Sequence, residues 1–308
     1  MKKVILYSAF LTLVLTLSSS FGNVCTSCSA QSSFFADEVS VRKLDKPNFK
    51  KKLKELNEAV NKQPKSSVPL LTRASFWTSQ GRYADADADL KEAFRLEPSN
   101  AATLRAIAFN LAASHHHIDS YKAYTIALKK SPKDSRLYFE RGVVAVHIPD
   151  LEKALADFEQ AEKLGFNEPQ LFYEKARMLC SYGRNEEALA ELEKLDGKQL
   201  KENRRLLECR IEILLALGKT KEALPVCEDL IAFKPGISCG YDNKGLVLYR
   251  MQRYQEAIEQ FNKAITLSPR ATRLYMRRAA AYRKLNRNKE ADADLAKVEE
   301  LNKQKKDL

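Results

Sequence analysis

Apolar residues recur along most of the chain at the spacing of one face of a helix. Between residues 81 and 100, for example, Ala86, Leu90 and Phe94 lie four residues apart and form one apolar stripe. Pro98 follows this stripe and marks its end, because proline lacks the N–H group that would continue a helix. The pattern predicts short amphipathic helices joined by turns.

Three aspartates alternate with alanines in the same stretch, at Asp85, Asp87 and Asp89. A calcium loop that begins in this way needs glycine at its sixth position and glutamate at its twelfth, and those positions hold Leu90 and Leu96. A strand is disfavoured because alanine and aspartate are both poor strand formers. We therefore expect a helix whose aspartates lie mostly off the apolar stripe and face solvent.

The helical pattern repeats with a period of 34 or 35 residues. One column holds small residues, namely Ala86, Ser120, Ala154, Ala188, Ala223, Ala257 and Ala291. A second small column lies twelve residues earlier, and a column of mostly bulky residues lies four residues later. Each period predicts two helices that approach closely through the small columns. Because one such pair cannot bury its own apolar face, the periods are expected to stack.

These columns resemble the tetratricopeptide repeat (TPR) family from Ser67 to about Lys305. The family's marked positions are clearest in residues 240–269, which carry Tyr241, Gly245, Tyr254, Ala257, Phe261, Ala264 and Pro269. The resemblance implies an all-α fold, a right-handed α-solenoid of stacked helix-turn-helix repeats. Arg73 and Arg210 stand at a position that is usually apolar in the family, so their repeats are expected to be weaker.

The predicted organisation follows from this register. The segments are a signal peptide at 1–22, a flexible linker at 23–46, an N-terminal capping helix at 47–66, seven repeats at 67–100, 101–134, 135–168, 169–203, 204–237, 238–271 and 272–305, and a tail at 306–308. The lysine-rich end of the chain is expected to solvate the last repeat.

The N-terminus has the pattern of a secretory signal peptide. Lys2 and Lys3 precede an apolar run at residues 4–17, and small residues follow it. The preferred cleavage site follows Gly22, and an alternative site follows Ala30. We therefore expect export to the periplasm or the extracellular space.

Two alternatives would instead anchor the chain in a membrane. One is an uncleaved signal segment, and the other is a lipid on Cys25 or Cys28. Any membrane association is expected only through this N-terminal segment.

Composition excludes few functions. The chain has 308 residues, of which 52 are Lys or Arg and 40 are Asp or Glu, for a formal net charge of +12. That charge favours acidic partners in general and does not identify a nucleic acid.

The sequence predicts no catalytic, metal or cofactor site. Ser238 lies in a G-x-S-x-G pattern, but no histidine follows it in the chain, and a hydrolase triad requires one. His115, His116, His117 and His147 are interpreted as polar turn residues. Cys180, Cys209, Cys227 and Cys239 are expected to be unpaired packing residues.

The resemblance also implies a concave groove lined by the first helix of each repeat. Carried over to this chain, the early groove is apolar and aromatic, with Leu71, Phe109, Phe139, Val143 and Tyr173. The middle is acidic, with Glu208 and Glu212, and the end is polar and basic, with Asn243, Arg250, Arg273, Arg277, Arg283 and Lys284.

Some members of the family hold a peptide's terminal carboxylate with lysine, asparagine and arginine side chains of this groove. Asn243, Arg273 and Arg277 match part of that set, whereas Glu208 and Glu212 replace the rest. The sequence therefore predicts a non-catalytic protein-interaction scaffold whose partner is a protein or peptide with an acidic or C-terminal carboxylate segment. Polyanion binding by the basic C-terminal repeats is the alternative, an enzyme is less favoured, and no specific nucleic acid is expected.

Overall fold

A computed structural model describes residues 45–148 and 150–306 of the chain. The predicted signal peptide, most of the predicted linker, Cys25 and Cys28 lie outside the described residues. The described part is an all-α solenoid of sixteen helices and contains no strand. It divides into two compact units, of which the first ends at Asn167 and the second begins at Glu168.

Each unit is built from consecutive helices that pack on their neighbours in sequence. The first unit contains α1 (Lys46–Lys62), α2 (Ser67–Ser79), α3 (Tyr83–Leu96), α4 (Ala101–Ala113), α5 (His117–Lys130), α6 (Ser135–Ala145) and α7 (Leu151–Lys163). The second contains α8 (Pro169–Ser181), α9 (Asn185–Glu193), α10 (Gly197–Lys201), α11 (Arg204–Ala216), α12 (Thr220–Phe233), α13 (Ser238–Arg250), α14 (Tyr254–Leu267), α15 (Thr272–Lys284) and α16 (Asn288–Lys306).

Polar caps start the first helix of several repeats. The side chain of Ser66 accepts a hydrogen bond from the Val68 amide at 3.3 Å, and that of Asn100 accepts one from the Ala102 amide at 2.9 Å. Asp134 caps α6 in the same way. These residues lie 34 positions apart, so the period of the chain also sets where each first helix begins.

The turn inside a repeat uses a residue with left-handed backbone geometry. Glycine adopts it most easily because it has no Cβ, and it occupies the turn at Gly81, Gly183 and Gly218, with φ of 74°, 76° and 71°. The equivalent turns of three other repeats hold His115, Gln252 and Asn286, with φ of 64°, 63° and 59°. The left-handed turn geometry is therefore kept even in repeats that have another residue in place of glycine.

The small column is fully buried between helices. All seven residues of the column that begins at Ala86 have 0% exposure. Ser120, its only polar member, donates a hydrogen bond to the Ala108 carbonyl of the paired helix at 2.7 Å. The helices are so close that a Cβ at Gly142 would lie 2.7 Å from the Phe158 ring. Small side chains at these positions therefore set the distance between paired helices.

Asp89 corrects the expectation that the three aspartates face solvent. It is 6% exposed, and its carboxylate accepts two hydrogen bonds from the Arg73 guanidinium at 2.8 and 2.5 Å. Asp85 and Asp87 instead form surface ion pairs with Arg82 and Lys91. One aspartate of the three is thus a buried structural residue.

Arg73 is not a weakness of its repeat. Its guanidinium also donates to Asn57 at 2.8 Å, so it links α1, α2 and α3. The same three-helix link recurs at 16-residue spacing in two other repeats. The three sets are Asn57–Arg73–Asp89, Thr125–Arg141–Asp157 and Asn262–Arg278–Asp294. A bidentate Arg–Asp pair with a third partner stabilises these sites because each buried charge is compensated.

The first and last helices differ from the predicted boundaries, and the fourth repeat contains an additional short helix. The predicted capping helix at 47–66 spans Lys46–Lys62, where Phe49 packs 5.4 Å from the ring of Phe76. The fourth repeat has a shortened second helix, Asn185–Glu193, followed by the short helix α10. The last helix continues to Lys306, one residue into the predicted tail.

Candidate functional site

An open cavity of about 900 Å³ lies on the first unit. Its apolar lining includes Val68, Leu71, Phe76, Ala102, Ala106 and Phe109. Its polar lining includes Thr72, Ser75 and Ser79, together with the cationic side chains of Arg105 and Arg136. Among the residues that the structure describes, none that lines the cavity carries a carboxylate. The cavity therefore combines an apolar surface with positive charge.

Helix periodicity explains why these side chains meet. Leu71 and Ser75 lie four residues apart on α2, and Arg105 and Phe109 lie four residues apart on α4. Residues at this spacing share one face of a helix. The first helices of the first two repeats thus present equivalent faces to the same cavity.

The two arginines of the cavity share a buried carboxylate. Glu140 on α6 has 0% exposure, and it accepts hydrogen bonds from Arg105 at 2.5 and 2.7 Å and from Arg136 at 2.9 Å. Both arginine side chains keep part of their surface in solvent, with exposures of 35% and 47%. The three side chains together carry one net positive charge beside the apolar lining.

A similar group lies in the second unit, at the predicted basic end of the groove. Asp242 on α13 is 1% exposed and lies 2.7 Å from Arg273 and 2.6 Å from Arg277. The sequence had suggested that these arginines and Asn243 would hold a carboxylate of the partner. The chain itself supplies a carboxylate, Asp242, to both arginines.

The remaining residues of the basic end lie apart from that group. Asn243 is half-buried on α13, and Arg250 is exposed at the end of the same helix. Arg283 is exposed and pairs with Asp292 at 3.2 Å, next to the exposed Lys284. Of the predicted basic residues, the structure brings Arg273 and Arg277 together on one acid.

Phe139 and Val143 do not line a groove. Phe139 is 1% exposed and stacks on Phe166, with ring centroids 4.7 Å apart, and Val143 is 0% exposed. The prediction of groove contact was wrong for both residues. The segment after α7 places Phe166 against Phe139 of α6, a contact that the repeat register alone does not reveal.

Tyr173 is half-buried on α8, and the guanidinium carbon of Arg205 lies 5.9 Å from its ring centroid. Glu208 pairs with Arg204 at 3.2 Å. Desolvation, with a smaller contribution from Glu208, raises the pKa of Glu212, although the residue as a whole is exposed. The predicted middle of the groove therefore does contain two interacting acids.

Sequence reasoning missed the four residues that organise the charge of these sites, namely Arg105, Arg136, Glu140 and Asp242. A signal was present in the repeat spacing. Arg105 lies 35 residues before Glu140, and Arg277 lies 35 residues after Asp242, so an acid and an arginine occupy neighbouring first helices in both cases. Such pairs are missed when each position of the repeat is judged only by whether it is usually apolar.

The histidines at two turns of the first unit lie together. The rings of His117 and His147 stack with centroids 4.2 Å apart, and His115 lies 5.8 Å from His117. Among the residues that the structure describes, no group of side chains could hold a metal ion. Over the same described residues, no helix is long and apolar enough to cross a membrane.

Comparisons with known proteins agree with the repeat architecture. The family model of the Psidin N-terminal TPR repeats region matches residues 42–154, and models of single tetratricopeptide repeats match residues 239–271 and 272–305. An Hsp70-Hsp90 organizing protein of Triticum aestivum is 28% identical over 188 residues, which cover 58% of this chain. This chain matches only 31% of that relative's length.

Two solved structures share the fold. A tetratricopeptide repeat protein from Parabacteroides merdae is 20% identical, with a TM-score of 0.58, over 76% of this chain and 93% of that one. Yeast Tom70 is 17% identical, with a TM-score of 0.53, over 96% of this chain and 68% of that one. At such identities the likeness bears on the fold alone.

Proposed function

Because this chain belongs to the tetratricopeptide repeat family, we propose that it is a non-catalytic scaffold that binds a peptide or protein segment in the cavity of its first unit. The observation that carries this proposal is the cavity itself, which is open, largely apolar and bordered by two arginines. Its volume of about 900 Å³ is large enough for several side chains of a partner.

The chemistry of the lining defines the partner further. Leu71 and Phe109 favour an apolar side chain, because contact removes apolar surface from water. Arg105 and Arg136 favour a carboxylate close to that side chain, because a guanidinium binds it through charge-assisted hydrogen bonds. We therefore propose a partner segment that combines an apolar anchor with an acidic residue.

Two further observations support a protein partner. Stacked repeats form extended surfaces that suit peptides and proteins better than small molecules. The wheat relative is named as an Hsp70-Hsp90 organizing protein, a name that refers to two protein partners.

Polyanion binding by the C-terminal repeats is the second candidate. Arg250, Arg283 and Lys284 are exposed there, whereas Arg273 and Arg277 already share Asp242. Binding that depends on these cations should weaken steeply as salt rises, whereas apolar contact in the cavity should not.

We also propose that the protein is exported. The basic residues, apolar run and small residues at the N-terminus support this. Replacing both Leu11 and Leu13 with Arg should keep the chain in the cytoplasm with its first residues intact. A wild-type cytoplasmic protein that still begins at Met1 would rule out the export of this chain.

A random peptide library displayed on phage tests the binding function with the purified chain. We expect selected peptides to combine an apolar and an acidic residue, and Leu71→Asp to abolish their binding. Ile118→Asp is the matched control, because Ile118 is an exposed aliphatic residue on α5 of the same unit and does not line the cavity. Equal loss of binding in both variants, or no loss in Leu71→Asp, would argue against the cavity as the binding site.

A further inference from the structure

We propose that the cavity of the first unit also binds residues 34–38 of the same chain, Phe-Phe-Ala-Asp-Glu, so that the protein competes with its own partner. This inference deepens the proposed function, because it names an internal ligand for the same cavity. It rests on the chemistry of the segment, the chemistry of the cavity and the point where the chain enters the first unit.

The segment is distinct within the predicted linker. Residues 23–44 contain two aromatic side chains, Phe34 and Phe35, and two acids, Asp37 and Glu38. All four lie within five consecutive residues. Both predicted cleavage sites, after Gly22 and after Ala30, precede this stretch, so it remains in the mature chain in either case.

The cavity has the complementary chemistry. Val68 is 63% exposed at its edge, and Leu71 and Phe109 extend the apolar surface. Arg105 and Arg136 lie at the same cavity and, with Glu140, carry one net positive charge. An aromatic pair followed by two carboxylates therefore matches an apolar surface bordered by two guanidinium groups.

The entry point of the chain brings the segment within reach. The Asp45 side chain caps α1, and Phe49 in the first turn of that helix lies 5.4 Å from the ring of Phe76. Phe76 itself lines the cavity. The first described helix therefore contacts, through Phe49, a residue that lines the proposed binding site.

Chain length is sufficient for the contact. Asp45 lies seven positions after Glu38, and an extended chain spans about 3.3 Å per residue, or roughly 23 Å. The cavity involves the first helices of neighbouring repeats, and packed helices lie about 10 Å apart. A chain of this length can therefore extend from the start of α1 to the neighbouring cavity.

A tethered ligand competes strongly even when its intrinsic affinity is weak. A short flexible tether gives an effective concentration of about 1 mM. If the segment alone binds with a dissociation constant of about 0.1–1 mM, the apparent affinity for a partner falls by about 2–10-fold. A partner would thus need enough affinity for the cavity to displace the segment.

Site-specific photo-crosslinking in the full chain tests the contact. A benzophenone amino acid replaces Phe35, and the crosslinked peptides are identified by mass spectrometry. We expect crosslinks to peptides that contain Leu71, Phe76 or Phe109. The control carries the same probe at Gln31, outside the aromatic and acidic stretch, and should crosslink to these peptides at much lower yield.

Two measurements separate the proposed contact from other occupants. A mixture of isotopically light and heavy chains distinguishes crosslinks within one chain from those between two copies. Asp37→Asn with Glu38→Gln should lower the yield at the cavity several-fold, whereas Ser32→Ala with Ser33→Ala should not. Crosslinks only between chains, or only outside the cavity, would overturn the inference.

Peptide binding then links the contact to function. In the full chain, Phe34→Ser with Phe35→Ser should increase the affinity for a library-selected peptide about 2–10-fold. If peptides bind the cavity but these substitutions change neither crosslinking nor affinity, self-binding is wrong and the proposed function stands. If the intramolecular crosslink forms but no peptide binds, the proposed function fails while the internal contact is supported.

Discussion

The ring of Phe261 packs directly against the backbone of Gly245, so closely that a Cβ at residue 245 would lie 2.6 Å from Cε1 of the ring. The two positions belong to a pair of columns that vary together along the chain. Glycine lies against Phe158 and Phe261. In the same register, alanine is matched with leucine or tyrosine in four repeats, and Ile211 is matched with Cys227. Each repeat thus keeps a similar total volume at this contact.

Gly245→Ala should therefore destabilise the protein, even though alanine favours a helix over glycine by about 1 kcal/mol. Overpacking against the Phe261 ring should outweigh that gain and lower the free energy of unfolding by about 1–3 kcal/mol. Urea unfolding followed by circular dichroism measures the change.

A second substitution provides the control for this contact. Phe261→Leu in the Gly245→Ala background restores the alanine–leucine combination of other repeats and should recover part of the loss. Gly197→Ala, where a Cβ would meet nothing within 4 Å, should cause no comparable loss. A fully stable Gly245→Ala variant would show that the ring can move aside freely.

Arg277→Ala should cost stability because it removes a partner from a buried carboxylate. Asp242 is 1% exposed and pairs with both Arg273 and Arg277, whose side chains are 66% and 27% exposed. Losing a hydrogen bond to a charged group lowers the free energy of unfolding by about 1.5–3 kcal/mol, which chemical denaturation would detect.

Removing the acid as well should reverse that effect. Asp242→Ala in the Arg277→Ala background eliminates the uncompensated charge and should recover stability. Arg250→Ala, at the exposed end of α13, is the control and should change little. Equal stability of Arg277→Ala and the wild type would mean that Arg273 alone satisfies Asp242.

A carboxylate at position 226 should pair with Arg210. The Nε of Arg210 is buried without a hydrogen-bond partner, and the residue 16 positions later is Val226. In three other repeats an arginine at this position binds an aspartate 16 residues later. We expect Val226→Asp to be tolerated despite the burial of Val226, because the new charge would be compensated.

A double-mutant cycle with Arg210→Leu isolates this pair. Val226→Asp should cost much more stability in the leucine background than in the wild type, with a coupling free energy of about 1–3 kcal/mol. Chemical denaturation of the four variants gives the value. A coupling close to zero would mean that the two side chains do not meet.

His117 should make the first unit less stable as the pH falls below about 6.5. Burial, with smaller contributions from His115 and His116, lowers the pKa of His117 from its ordinary value of 6.5. The unfolded chain therefore binds a proton at a higher pH than the folded chain does. The stability from neutral His117 is fully present above the unfolded pKa and is lost as the pH falls toward the folded pKa.

The measurement compares urea unfolding at about pH 7.5 and about pH 5. His117→Gln should reduce the difference between the two conditions, and His116→Gln, at an exposed position, should reduce it much less. An unchanged difference in His117→Gln would assign the pH dependence to other groups.

The sequence was a good guide wherever the structure depends on local pattern. Helix pairs, their period and the buried column that begins at Ala86 follow from apolar spacing and from small residues 34 or 35 positions apart. Leu71 and Phe109 line one cavity because the same face of each first helix recurs in every repeat. These features need no knowledge of distant contacts.

Only the tertiary structure decided which polar and aromatic side chains are buried. The sequence pattern indicated that Asp89 is solvated, but in the structure Arg73, 16 positions earlier, binds it across the helix pair. Asp242 and its arginines are 31 and 35 positions apart, and Phe139 is covered by Phe166. Such contacts depend on how far neighbouring helices are rotated and on which side chain reaches across. The sequence by itself therefore determined the repeat and its helices, and three-dimensional packing decided which charges remain available to a partner.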